Sequence, residues 1–338
     1  MIDLLEKWVN QSSPTYSKSA VDTMGRMTVD AFVEAGATLT AAHPQPNLGD
    51  HYTLTFGEGE RQILLLCHFD TVWPLDEVTK RPFTLENGCA LGPGVHDMKA
   101  GTLIGLFALK ALRELDLNPA CKLVWLLTSD EEIGSPSSRG LIEAESRKSN
   151  YCLVLEGSHN SSRLTTARKG VGRFYLEVTG RAAHAGVEPE KGVSAIEELA
   201  YQIQTLHAMT DLSRGITVNV GLVSGGERSN VVAARAKADV DVRMLTRSDA
   251  EQISEQILNL TPHLPGCQLK VWGEINRWPF EETPAGLALY DKAKAIAQDL
   301  GFTVGKFRSG GAGTVTFPPP WESLPWMGWG RWGVGHTP

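Results

Sequence analysis

The chain has 338 residues, 42% of them apolar, with 39 acidic and 32 basic side chains for a net charge of −7. Length predicts two domains with enough apolar residues for a core, and the acidic balance without a Lys/Arg tract excludes a surface that tracks nucleic-acid phosphates. Five scattered cysteines with no C-x-x-C pair argue against a disulfide framework or thiolate metal site and for a reducing, cytoplasmic compartment, while the absence of a signal-peptide start or ~18-residue apolar run argues against a membrane partner.

From about Arg61 the chain alternates buried-strand runs with helical patterns, the order of a sheet with covering helices. Residues 63–67 read as a strand, and residues 99–115 as a helix with Leu103, Leu106, Leu109 and Leu112 on one face. Residues 123–127 and 151–155 are further strands. Polar groups follow each strand at once: His68, then 129–132, then Glu156. Carboxyl ends of strands in α/β sheets are where ligand-binding groups collect.

After about Gly170 the pattern changes. Strands are predicted over 171–179, 216–223, 235–245 and 268–273, and helices over 193–209 and from Ser248, where Glu251 three residues on would complete a capping box. The order is β-α-β-β-α-β, which is ferredoxin-like. The domains are therefore expected at 1–170 with 281–338, and at 171–280 as an insertion. Helical patterning resumes over 285–300.

Five groups carry the chemistry, each with an ordinary alternative. In His68-Phe69-Asp70, residues i and i+2 share a face of an extended segment, so Asp70 is placed to fix the tautomer of a metal-binding His68; otherwise this is a loop histidine beside a turn aspartate. In Gly92-Pro93-Gly94-Val95-His96-Asp97-Met98-Lys99, Asp97 stands where the helix begins and reads alone as an N-cap. The third glycine of a dinucleotide fingerprint is missing there, which removes a dehydrogenase. Asp130-Glu131-Glu132 packs three acids at a strand end, where a cation or solvent must relieve their repulsion. Glu156 follows the next strand. His184, between small residues in Ala183-His184-Ala185-Gly186, is placed to project from a turn or to be an ordinary surface histidine.

Taken in order, these motifs resemble the dizinc aminoacylase and glutamate carboxypeptidase family of metallopeptidases, over nearly the whole chain to about Ala312. The resemblance implies an α/β two-domain zinc exopeptidase fold with a ferredoxin-like dimerisation domain, and hence a homodimer. It implies two zinc ions, with cobalt or manganese fitting similar donors. His68 and Glu156 would hold one ion and Glu132 with a late histidine the other, while Asp97 would bridge both. Asp70 would orient His68, and Glu131 would be the general base. His184 would stabilise the oxyanion across the dimer, Asn230 and Arg243 would bind the substrate carboxylate, and Lys169 is a weaker candidate beside them. Within the family, the Asp70-Thr71-Val72 run, the Gly-Pro-Gly loop and Leu155-Glu156 look closest to glutamate carboxypeptidases, a resemblance that implies removal of a C-terminal amino acid, an acidic one first, from a small peptide or N-acyl amino acid. The alternatives are an N-acyl amino acid deacylase or dipeptidase, and an impaired homologue that only binds.

The tail departs from this pattern. Four of nine tryptophans, Trp321, Trp326, Trp329 and Trp332, fall in the last 18 residues beside Pro318-Pro319-Pro320, where the family would continue with Ser-Asp-Gly-Asn and a final Gly-x-x-His. With suitable codons, a frame displaced by one base over 313–333 encodes Asp-Gly-Asn-Phe-Pro-Ala-Ala-Leu-Gly-Ile-Pro-Thr, with Val334 onward back in frame. The expectation is therefore a frameshifted segment, with His336 as the late ligand; resequencing the locus tests it.

Overall fold

In the computed structural model, residues 1–157 and 163–309 are described, together with the backbone of 326–328. The chain begins with helices α1 (Ile2–Asn10) and α2 (Lys18–Glu34) and strands β1 (Thr38–His43), β2 (His51–Phe56) and β3 (Gln62–His68). A short helix α3 (Glu77–Lys80) and the hairpin of β4 (Thr84–Glu86) with β5 (Cys89–Leu91) lead to α4 (Ala100–Glu114). Next come β6 (Lys122–Thr128), α5 (Arg139–Lys148), β7 (Tyr151–Val154) and β8 (Arg163–Arg168). Then β9 (Gly170–Thr179), α6 (Ala195–Ala208), β10 (Thr217–Gly225), β11 (Arg235–Met244), α7 (Arg247–Leu258) and β12 (Gln268–Arg277) follow, before α8 (Pro284–Asp299), β13 (Gly305–Ser309) and β14 (Trp326–Gly328).

Two compact units result: Met1–Thr166 with Glu282–Arg308 and β14, and Ala167–Glu281. The first is built on a mixed eight-stranded sheet in the order β1-β2-β6-β3-β7-β14-β8-β13. Its central strands β3, β6 and β7 are parallel neighbours, and β3 and β6 are apolar and buried along most of their length, as strands covered on both faces are. Trp8, Phe32, Leu54, Leu106 and Trp125 are among the fully enclosed side chains of this core, with the Phe32 and Trp125 rings 5.4 Å apart. Among the described residues no helix is long and apolar enough to cross a membrane.

Helix α4 approaches the sheet through a glycine face. A Cβ on Gly101 would lie 1.8 Å from the carbonyl oxygen of Leu155, and one on Gly105 would lie 2.8 Å from the Leu155 side chain. Only glycine lets the helix lie this close to the end of β7. Gly101→Ala is therefore expected to push α4 away and to destabilise the protein by about 1–3 kcal/mol, which a denaturant titration measures; an unchanged midpoint would show that the helix shifts freely.

The second unit is a four-stranded antiparallel sheet in the order β10-β11-β9-β12 with α6 and α7 on one face, the ferredoxin-like arrangement. On β11, Ala236, Ala238, Val240, Val242 and Met244 face the helices, while Asp241 and Arg243 lie on the other side. The expected capping box at Ser248 is corrected. The N-cap of α7 is Thr246, whose Oγ1 accepts from Asp249 N at 3.1 Å, and Glu251 pairs with Arg247 one turn back. Both registers fit a Ser/Thr-x-x-acid pattern; Asp249 is also held by Arg214, which favours the earlier start.

Candidate metal centre

The parallel register brings three strand ends level. His68 pairs with Thr128, and Leu66 with Val154, so Glu156, two residues past Val154, comes level with His68. Asp97 arrives from the 95–99 loop, which is held on β3 by a hydrogen bond from His68 N to Met98 Sδ at 3.1 Å. The loop's entry needs Gly94, whose φ of 71° is left-handed and whose Cβ would meet Thr71 at 2.7 Å. Asp97 does not cap α4; its Oδ1 lies 2.9 Å from His68 Nε2.

Asp70 is fully buried and gathers the site around its carboxylate. His68 Nδ1 lies 3.1 Å from its backbone oxygen and 3.3 Å from Oδ1. Glu131 N donates to Oδ1 and Glu132 N to Oδ2, both at 3.2 Å, and Thr15 Oγ1 donates to Oδ2 at 2.8 Å. One aspartate thus orients the histidine and fixes the turn that presents both glutamates. His68, Glu131 and Glu156 offer ligand atoms within 4.8 Å of one another, and so do His68, Asp97 and Glu132.

The electrostatics of this donor set call for a cation. Burial works against a charged His68, but hydrogen bonds with Asp70 and Asp97 outweigh it and hold the ring well above its ordinary value. Burial, with Asp97, Glu131 and Asp70 nearby, pushes Glu132 up to about 8, although His68 partly opposes this. One imidazole and four carboxylates supply the nitrogen and oxygen donors that zinc takes. Cys67 beside His68 is buried and its thiol is pushed up to about 12, so it offers no thiolate.

Beyond the motifs, Thr15, 55 residues from its partner Asp70, carried no sequence signal. Lys99 stood in the motif without an assigned role. Its buried Nζ donates to the carbonyls of Trp8 and Gln11 at 2.9 Å, tying the end of α1 to the Asp97 loop, and burial lowers the amine to about 7.

The remaining expected residues lie on the second unit. The His184 and Asn230 segments are brought side by side: Ala185 N donates to Asn230 O at 3.0 Å, and Val232 N to Ala183 O at 2.9 Å. His184 Nδ1 accepts from Gly186 N at 3.2 Å, which leaves the proton on Nε2 as an exposed donor. Arg243 is engaged by Asp241 through Nε at 2.8 Å and Nη2 at 3.0 Å. Lys169 lies half-buried between β8 and β9 and makes no side-chain hydrogen bond or ion pair among the described residues. His336 and the 313–333 segment, apart from the backbone of 326–328, lie outside the described residues, and with them the frameshift reading.

A model of the peptidase dimerisation domain matches residues 166–264. Carboxypeptidase G2 of Pseudomonas sp. (strain RS-16) is 30% identical over 341 aligned positions, spanning 98% of this chain and 82% of that protein. Acetylornithine deacetylase of Edwardsiella ictaluri (strain 93-146) is 29% identical over 64% of this chain and 60% of its own. In three dimensions, aminopeptidase PepT of Bacillus cereus matches with a TM-score of 0.79 at 20% identity, over 99% of this chain and 90% of that one. The M20 family metallo-carboxypeptidase Sso-CP2 of Sulfolobus solfataricus matches at 0.71 and 16%, over 100% and 93%. The fold and these relatives define a metal-dependent hydrolase of the metallopeptidase class. The chain belongs to the M20 peptidase family.

Proposed function

We propose that the chain hydrolyses the amide bond joining an acyl group to a C-terminal amino acid, an acidic one first, in a small peptide or N-acyl amino acid. The observation that carries this is the convergence of His68 with Asp97, Glu131, Glu132 and Glu156 at three strand ends and one loop; the likeness to a carboxypeptidase over 98% of the chain supports the bond class. His68, Asp97, Glu132 and Glu156, with His336 as the late ligand, would hold two zinc ions, or cobalt or manganese in their place. When bound, the ions supply Lewis acidity that acidifies a water and polarises the carbonyl.

Glu131 takes the proton of the attacking water and returns it to the leaving nitrogen. Asp70 keeps the carboxylate of Glu131 in place by accepting from its backbone N–H. His184, with its proton on Nε2, donates to the oxygen that becomes negative, from the partner subunit of a homodimer. Arg243 binds the α-carboxylate. Asp241 already orients the guanidinium through Nε and Nη2, which leaves the Nη1 edge for the substrate. Asn230, and more weakly Lys169, complete that subsite.

The deacetylase relative keeps N-acyl amino acid deacylation as a second reading of the same site. The test is a screen of acyl-glutamates, other N-acyl amino acids and dipeptides with metal analysis of the same protein. Arg243→Leu is expected to raise KM about 10–100-fold for substrates with a free α-carboxylate. No cleavage of any of these by metal-loaded protein would sink the reading.

A further inference from the structure

Behind the Glu131–Glu132 turn lies a buried polar chain that the proposed chemistry does not use. His51, at the start of β2, is fully enclosed, as are Ser129, Asp130 and Ser138. His51 Nδ1 lies 3.2 Å from the amide of Ser129, so it accepts, and the ring proton must sit on Nε2. Nε2 lies 3.0 Å from Ser137 Oγ, which in turn donates to Asp130 Oδ2 at 2.7 Å. Asp130 also accepts from Ser137 N at 2.7 Å, Ser138 N at 3.1 Å and Ser138 Oγ at 2.6 Å. Those four bonds, three on Oδ2 and one on Oδ1, fix the carboxylate as an anchor. Ser129 Oγ closes the chain onto the carbonyl of Gly49.

We propose that His51, acting through Ser137, is a positioning residue for the turn that presents Glu131 and Glu132. The turn then hangs between two buried carboxylates. Asp70 holds the amides of Glu131 and Glu132 from one side, and on the other side the residue before them, Asp130, is itself fixed through its carboxylate by Ser137 and Ser138. The direction of each hydrogen bond follows from a neutral ring: a proton on Nδ1 would point at the Ser129 N–H. The charges facing the ring are Asp50 beside it on the same segment, Asp130 on the turn, Asp70 from the end of β3 and His43 from β1. Burial outweighs the three carboxylates and keeps His51 below its ordinary value.

The inference rests on the hydrolase reading only for its zinc and kinetic readouts. In Ser137→Ala and His51→Asn, which cut the link to Ser137, zinc affinity measured by chelator competition is expected to fall 10–100-fold, and kcat to fall with KM little changed. His51→Gln, whose amide reaches Ser137, should recover most of both. The loss of affinity should vanish in a Glu132→Gln background, because the network acts through Glu132. In the metal-free chain, hydrogen exchange at the Glu131 and Glu132 amides should accelerate at least about tenfold in Ser137→Ala while the β2–β6 ladder is unaffected.

Unchanged exchange at the turn in folded Ser137→Ala overturns the positioning role whether or not the protein proves to be a hydrolase. Faster exchange in a chain that binds no zinc, cobalt or manganese leaves the positioning role standing and removes the proposed metal-dependent reaction. Uniformly faster exchange, with zinc affinity unchanged well below the melting temperature, reduces His51 to a stability element and also overturns the proposal.

Discussion

Glu131→Gln is expected to lower kcat about 10²–10⁴-fold while leaving KM and metal content close to those of the unaltered protein. Glutamine keeps the size of the side chain and leaves the backbone amide on Asp70, so the turn is preserved. What is lost is the ability to accept a proton from water and pass it to the leaving nitrogen, and removing a positioned base has effects of this order. The neighbouring change should separate cleanly from it. Glu132 shares a cluster with His68 and Asp97, so Glu132→Gln should first weaken metal binding, with activity partly restored by excess zinc, whereas excess metal should not rescue Glu131→Gln. A Glu131→Gln protein that turns over at the unaltered rate would remove this residue from the role of base; a metal-free one would show that it serves as a ligand.

The site's frame was legible because strand ends declare themselves. The apolar runs before His68, Asp130 and Glu156 end abruptly in polar groups, and the parallel register then carries those groups to one edge of the sheet. The ferredoxin-like unit was legible for a related reason: a sheet with helices on one face alternates, as β11 does from Ala236 to Met244. Hidden were the contacts that cross long stretches of sequence. Thr15 to Asp70 and His51 to Ser137 span 55 and 86 residues, and no local period encodes them. Asp97 illustrates the limit from the other side. Its place at a helix start reads as a cap, yet the left-handed Gly94 and the anchored Met98 turn it toward His68 instead. The N-terminal helices and β1–β2 add another layer that motif reading passed over, and it is this layer that supplies Thr15, His51 and the carbonyls held by Lys99.

Metal binding is expected to release about two protons per chain near pH 7, with affinity rising up to about 100-fold per pH unit below about pH 8. The ligand set must shed them because, without metal, Asp70 and Asp97 hold His68 in its charged form and burial keeps Glu132 protonated up to about 8. A nitrogen ligand must offer a lone pair and a carboxyl ligand its charge. The two groups sit in one cluster, so the protons belong to the pair rather than to either residue. Folding stability of the metal-free protein should run the opposite way. Glu132 is raised above the ordinary 4.5 and His68 above 6.5, so between those values and the raised ones the folded state binds the extra protons. Their contribution is fully present at low pH and is lost as pH climbs through 8 and beyond. The melting temperature of metal-free protein should therefore decline across pH 6–8, while zinc's stabilising increment grows over the same interval. Calorimetric titrations in buffers of different ionisation enthalpy count the protons directly. A count near zero at pH 7 would show that His68 and Glu132 already stand deprotonated, and would place the raised charge states elsewhere in the site.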